Sequence, residues 1–502
     1  MESGSQRGEN RGKKTSREDA EKRENRVRNR RGKTEEAAMK AGPPTPITQH
    51  PTPPSRGTRH AARTLGHASR ITRLCHAARG TRHVLRITRH ASRVTAPLAL
   101  FLAACSLISC GRPRPAVHAS TWRPTEFLIA LRGVPPAKLE HYTPVAQASF
   151  NAIAGNVGPD ALSLARRCGL KLIMGGTGLD AHTLSDRAGR RRVAGLLARF
   201  RDDPALWGYY YMAGEPREAD LAAVARVADF SREHDPAHPL FVTLLPSDAW
   251  VGPALATADY TGYLESFVAK VRPALLSHAN FPFREKGDTG FYFENLEAVR
   301  RTALAHGLPF YPTLRGALWS GMRRPTEGEL RWLAYTSLAY GAKGVVWFGY
   351  WGAPGGGRDG IVQPDGLLTE RYRWIATLNG ELRALGPTLL RLRSTAVHHT
   401  GEVPVGGSRL PVHGLVGSTE GGAFVVGEFL DEEGGRYLFV VNRDYRREAT
   451  AKLTINQPCR SVAWLDPAFG EWADLPTTTD RFQTLTEFAL PPGGGRLIRL
   501  RR

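Results

Sequence analysis

From Glu126 the chain alternates between short apolar runs and longer amphipathic stretches. The runs at 127–131, 152–157, 170–174, 208–212, 240–245, 275–279, 309–314 and 344–348 have strand length and composition. Between them, apolar residues recur at helical spacing over 159–168, 186–201, 218–234, 260–271, 293–306 and 326–340. Strand followed by helix, repeated eight times over about 260 residues, predicts a (β/α)8 barrel. An open doubly wound sheet is the competing topology, but no glycine-rich phosphate loop opens a helix after the first strand. Helix punctuation agrees: Thr326 and Glu329 form a capping box after Pro325, and Gly307 closes the preceding helix. His306, near that end, reads as a surface residue compensating the helix dipole.

A further amphipathic helix at 370–383 closes the repeat, and Gly386-Pro387 reads as a chain break. Beyond about residue 395 the period becomes that of strands, at 423–429, 437–441, 450–455, 461–465 and 496–500, separated by glycine- and aspartate-rich turns. The predicted architecture is an α/β protein: a (β/α)8 barrel over 121–394, then a small antiparallel β-sandwich over 395–502.

The first 95 residues lack this patterning. They are arginine-rich, almost free of aromatics and loosely repetitive, as in RGTRHAART and VLRITRHASR, and read as a disordered basic leader. The whole chain has a formal charge of +22. Residues 1–110 hold about 23 Lys and Arg against about 8 Asp and Glu, so the basic excess belongs mainly to the leader. Without interleaved aromatics, no nucleic-acid partner is expected. In the 96–120 segment, an apolar run of about 14 residues follows Arg93, a length that suits a signal-peptide core better than a membrane span. It ends Leu107-Ile108-Ser109-Cys110, which resembles the bacterial lipobox. That resemblance implies lipidation of Cys110, a tether over 111–120, and an extracytoplasmic protein anchored to a membrane. An uncleaved anchor and plain secretion are the alternatives.

The five cysteines form no CxxC pair and no Cys/His ligand spacing, so neither a zinc site nor a disulfide framework is expected, and no cofactor is called for. Cys168 lies on an apolar helical pattern and reads as a packed thiol.

The chemistry concentrates where the barrel strands end. The stretch LWGYYYMAGEP breaks from an aromatic run into Gly214-Glu215-Pro216, which puts Glu215 just past strand four, where such a barrel keeps its reactive groups. A plain turn with an exposed acid is the alternative. The other strand ends bring Asn156, Asp180, Asp248, Trp250, Asn280, Phe281, Phe283, Arg284, Glu294, Arg315, Trp319, Tyr350, Trp351, Arg358 and Asp359. Rings, amides and carboxylates together suit a sugar, whose C–H faces stack on aromatics and whose hydroxyls need paired donors and acceptors. Asn156, Tyr211, Asn280, Arg315, Trp319, Tyr350 and Trp351 are the expected binding residues for an oligo- or polysaccharide. The arginines at 284, 315 and 358 suggest an acidic sugar as one option.

Several phrases make a resemblance nameable: WGYYYMAGEP, YFENLEAVRRTALAHGLPFY, ELRWLAYTSLAYGAKGVVWFGYW and, in the second domain, YLFVVNRDY and LPPGGGRLIRL. The chain resembles bacterial barrel glycoside hydrolases of the family 42 and wider clan A type. The resemblance implies that Glu215 is the general acid/base. Two features depart from the clan: Gly214 stands where an Asn or Asp usually precedes the glutamate, and 310–319 holds no carboxylate where the nucleophile belongs. Hydrolysis with two carboxylates needs a partner about 5 Å away for retention or about 6.5–9.5 Å away for inversion. Glu294 and Asp359 are the first candidates for that partner, with Asp248 next. For Glu294 a place in the first helical turn, beside the dipole, is an equal alternative. An acid role for Glu215 also needs an aromatic, partly desolvated wall that favours the neutral carboxyl. The expected function is glycoside hydrolysis; the alternatives are a carbohydrate-binding barrel that lost its nucleophile, and capture of an anionic partner by the leader.

Overall fold

The computed structural model describes residues 122–247, 260–319, 321–352 and 359–502. The basic leader, the 96–120 segment with Cys110, and the site candidates Asp248, Trp250 and Arg358 lie outside the described residues.

The first layer is a ring of parallel strands: β1 (Leu128–Arg132), β2 (Ala152–Gly155), β3 (Lys171–Met174), β4 (Leu206–Tyr210), β5 (Leu240–Phe241), β6 (Thr243–Leu244), β7 (Leu276–Ala279), β8 (Phe310–Arg315) and β9 (Gly344–Phe348). Here β5 and β6 are two halves of one predicted strand, parted at Val242. The first half pairs with β4 and the second with β7, while β1 pairs with β9. The break therefore lets one strand turn from one neighbour to the other, and the ring closes. The (β/α)8 barrel is the observed fold.

Around it run α1 (Leu139–Gln147), α2 (Leu162–Arg167), α3 (Arg187–Phe200), α4 (Leu221–His234), α5 (Tyr260–Val271), α6 (Tyr292–His306), α7 (Glu327–Ala339) and α8 (Glu370–Arg391). Thr326 Oγ1 accepts from the Glu329 amide while the Glu329 carboxylate accepts from the Thr326 amide at 2.9 Å, the expected capping box. His306 meets Glu265 at 2.8 Å on the surface of the neighbouring helix. Among the described residues no helix is long and apolar enough to cross a membrane.

Burial divides in two. Leu128, Ala130, Ala152, Ala154, Ile173, Trp207, Tyr210, Phe241, Tyr311 and Val346 fill the barrel interior, and the alternate strand positions pack under the helices. The expected break at Gly386-Pro387 is a correction: α8 runs through both residues to Arg391. A Cβ at position 386 would lie 2.5 Å from Phe127 Cβ, so the glycine serves a close helix–strand approach.

The second domain begins with β10 (Arg393–His399), directly after α8. It continues with β11 (Val416–Glu420), β12 (Phe424–Leu430), β13 (Arg436–Asn442), β14 (Ala449–Ile455), β15 (Ser461–Asp466), β16 (Glu471–Asp474), β17 (Thr477–Thr479), β18 (Thr484–Leu490) and β19 (Gly495–Arg501). Two antiparallel sheets, β10-β12-β13-β19-β15-β16 and β11-β14-β18-β17, face each other across Phe424, Val426, Leu438, Leu453, Phe488 and Ile498. The opposite face of the larger sheet, with Val425, Phe439, Val441 and Leu497, joins the core of the barrel's helical layer.

Candidate active site

Alternation along β1 puts Leu128 and Ala130 inside the barrel and makes Arg132 the next inward position, at the mouth. The same period on β9 runs from Val346 to Phe348. On β4 a bulge intervenes: Leu172 pairs with Leu206, but Ile173 pairs with Gly208. The extra residue shifts the facing of everything after it. Tyr210 thereby points inward, stacked on Phe241 with its hydroxyl 2.9 Å from Thr243 Oγ1.

Glu215 follows on the loop beyond β4, after Gly214 at φ +89°. That backbone conformation is one that side-chain-bearing residues rarely adopt, which accounts for a glycine at this position. Arg132 Nη1 donates to Glu215 Oε1 at 3.1 Å, with the two side chains 24% and 30% exposed. The Arg132 guanidinium lies 5.3 Å from the centroids of both Tyr210 and Phe348. Phe348 in turn stacks on Phe281 at 5.7 Å and meets Trp319 at 5.1 Å. A half-exposed pair of this kind contributes only about 0–1 kcal/mol to stability. Its effect is positional: it ties the carboxylate to a guanidinium that itself lies over two of these rings.

The remaining expected residues fall in several places. Trp319 belongs to that wall. Asn156 is exposed, at the inward position that follows Ala152 and Ala154. Trp351 is half-buried and edge-on to His141 at 4.7 Å. Asp180 caps its own loop, accepting from the Thr183 amide and hydroxyl, both at 2.8 Å.

Four of the expected binding residues are buried away from the barrel mouth's solvent. Tyr211 faces outward into the helical layer, because the β4 bulge exchanged its place with Tyr210. Tyr350 is fully buried and packs edge-on against Phe150. Arg315 is 2% exposed, and its guanidinium donates to the carbonyls of Ala317, Phe283 and Arg323. Burial lowers its pKa to about 10, still a cation at neutral pH, so it clamps loops and reaches no solvent. Asn280 is 3% exposed and donates to the Tyr292 carbonyl at 3.4 Å.

Of the two candidate partner carboxylates, Asp359 is held by other side chains and Glu294 sits at the start of a helix. Glu294 lies in the first turn of α6, its backbone against Gly406 of the second domain. Asp359 accepts from Arg324 at 2.8 Å, Arg371 at 2.7 Å and Gln363 at 2.9 Å. Neither meets Glu215 in any contact. Among the described residues no group of three or more His, Cys, Asp and Glu could hold a metal ion.

Arg132, Tyr210 and Phe348 are the site residues that the motifs missed. The signal for Arg132 was present: a charge on the inward parity of an otherwise apolar strand.

No protein-family model matches the sequence, and no curated protein matches it. Solved structures do resemble it. A family 5 glycoside hydrolase from Bacteroides vulgatus is 12% identical, with 75% of this chain and 89% of that one covered, at a TM-score of 0.48. A catalytic mutant of a family 42 β-galactosidase from G. stearothermophilus is 10% identical, with 75% and 98% covered, at 0.48. For a β-galactosidase from the psychrophilic Marinomonas ef1 the identity is 12% and the TM-score 0.39; 53% of this chain matches, and it spans 62% of that chain's length. At such identities the likeness is one of fold.

Proposed function

We propose that the barrel is a glycoside hydrolase acting on an oligo- or polysaccharide, in the extracytoplasmic setting that residues 93–110 imply, with Glu215 as its acid/base carboxylate. One observation carries the reading: Glu215 is held by Arg132 beside Tyr210, Phe348, Phe281 and Trp319 at the mouth of the barrel. Flat rings take the C–H face of a pyranose, and a carboxyl at their edge can pass a proton to a glycosidic oxygen. Arg132 fixes the direction in which Glu215 presents that oxygen.

A second reading has its own observation. Strand β8 ends in Arg315, which is buried and spent on carbonyls, and Asp359 is neutralised by two arginines. Both favour a carbohydrate-binding barrel without a nucleophile. Reducing-sugar release and calorimetric binding, measured on wild type and Glu215→Gln, separate the two. Hydrolysis by wild type that falls at least about 100-fold in the variant, with binding kept, supports the first. Binding without release by either protein supports the second, and absence of binding across a broad glycan panel removes both.

A further inference from the structure

Two of the rings at the barrel mouth, Phe281 and Trp319, sit on two loops, 280–291 after β7 and 316–326 after β8, and these loops are bound to one another. The Glu285 amide donates to the Gly321 carbonyl at 3.2 Å, and Arg284 and Met322 form an isolated bridge. Arg315 reaches a carbonyl on each loop, Phe283 at 3.2 Å and Arg323 at 2.8 Å. Arg323 donates back to the Arg284 carbonyl at 3.0 Å, to Asp288, and to Glu329 at the start of α7.

One member of this network comes from the other domain. Tyr445, on the turn between β13 and β14, donates its hydroxyl to Asp288 Oδ2 at 2.6 Å and lies within 3.4 Å of Arg323 Nη2. Its ring packs edge-on against Phe283 at 5.2 Å and near Trp332 at 6.1 Å, and Trp332 Nε1 donates to the Arg443 carbonyl of the same turn at 3.1 Å. Asp288 thus joins a cation on one loop to a phenol on the sandwich. Side chains built to fix an exposed turn would not need a partner from a different domain; loops whose exact spacing matters would.

We propose that Tyr445 is a positioning residue for the barrel mouth: through Asp288 and Arg323 the sandwich domain sets the two loops that hold Phe281 and Trp319 against Phe348. The inference deepens the carbohydrate reading and rests on it for its purpose, though not for its geometry. Tyr445→Phe removes only the hydroxyl and keeps the ring packing. With the unfolding temperature unchanged, acrylamide quenching of Trp319 should rise in this variant, taken as the difference between each protein and its Trp319→Phe counterpart. Asp288→Asn, which also weakens the pair with Arg323, should raise it at least as much, and the double variant should add nothing beyond Asp288→Asn, because the tyrosine acts through that aspartate. Where wild type binds cellotetraose or β-1,4-galactotetraose, Tyr445→Phe should bind about three- to tenfold more weakly, as expected when the short bond to Asp288 and the long one from Arg323 are lost. Unchanged Trp319 quenching, or additive effects of the two substitutions, would overturn the proposal. If wild type binds neither sugar, the carbohydrate reading fails for them and the quenching series alone decides.

Discussion

A single guanidinium shows how much rests on register at the scale of the residue. Arg132 is flat, and its guanidinium lies over the rings of both Tyr210 and Phe348 while Nη1 holds Glu215. Lysine keeps the charge but offers neither a planar face nor a forked edge. Arg132→Lys should therefore weaken sugar binding about three- to tenfold while the thermal midpoint stays put, since a half-exposed pair contributes little to folding. Calorimetry beside thermal unfolding checks this, and equal affinity in the two proteins would dismiss the sandwiched arginine as a binding element. Glu215 was legible because Gly and Pro punctuate it after an aromatic strand. Tyr211 lies in the helical layer and Tyr210 in the barrel because of a bulge that no local pattern in Trp207-Gly208-Tyr209 announces.

Among the elements, the eight strands and most of the helices between them could be read directly from period and punctuation, to within a residue or two at most ends, while α1, with Pro144 inside it, falls outside the predicted segments. The end of α8 is instructive. Gly386-Pro387 carries a strong local stop signal, yet α8 continues through it, because Gly386 lets the helix lie directly on Phe127. In an exposed helix, Gly→Ala gains about 1 kcal/mol. Here the added methyl meets a stiff Cβ at 2.5 Å, so the sign reverses. Gly386→Ala should destabilise the protein by about 1–3 kcal/mol, read from denaturant midpoints. A neutral or stabilising result would mean that α8 slides easily over β1. The sandwich strands β11, β16 and β17 lack the alternation of a half-buried strand, being three to five residues long and largely exposed, and fall outside the predicted segments. So do β10 and β18, although each is seven residues long and β18 alternates strictly between buried and exposed positions.

For the whole molecule, two buried histidines tie stability to pH. His278 on β7 is held down at about 4 by burial alone. His399 on β10 accepts or donates at Tyr340 of α7, across the domain boundary, and burial with the nearby Arg443 charge brings it to about 3. Both are neutral in the folded protein and would protonate near 6.5 when unfolded. The unfolded chain thus binds more protons between about pH 6.5 and 4, so stability is present in full above that window and falls as the pH drops through it. From pH 7 to pH 5 the loss should be about 2 kcal/mol for each histidine. Urea unfolding at the two pH values measures it, and His278→Leu should flatten the slope by its share. An unaltered slope would show that His278 is solvated in the folded state.

The order of apolar and polar positions was enough to determine strands, helices, the ring that they close and the glutamate that the fourth of them delivers. Those features depend on local periodicity and on chain punctuation, which each segment carries within itself. Only the folded chain decided which side chains meet: that Arg132 takes Glu215, that Arg315 and Asp359 are occupied by loop contacts, and that a tyrosine some 160 residues downstream reaches Asp288. Pairings of that kind depend on bulges, on close glycine contacts and on how a second domain settles against the first. These are properties of packing between distant segments, and no single stretch of sequence contains them.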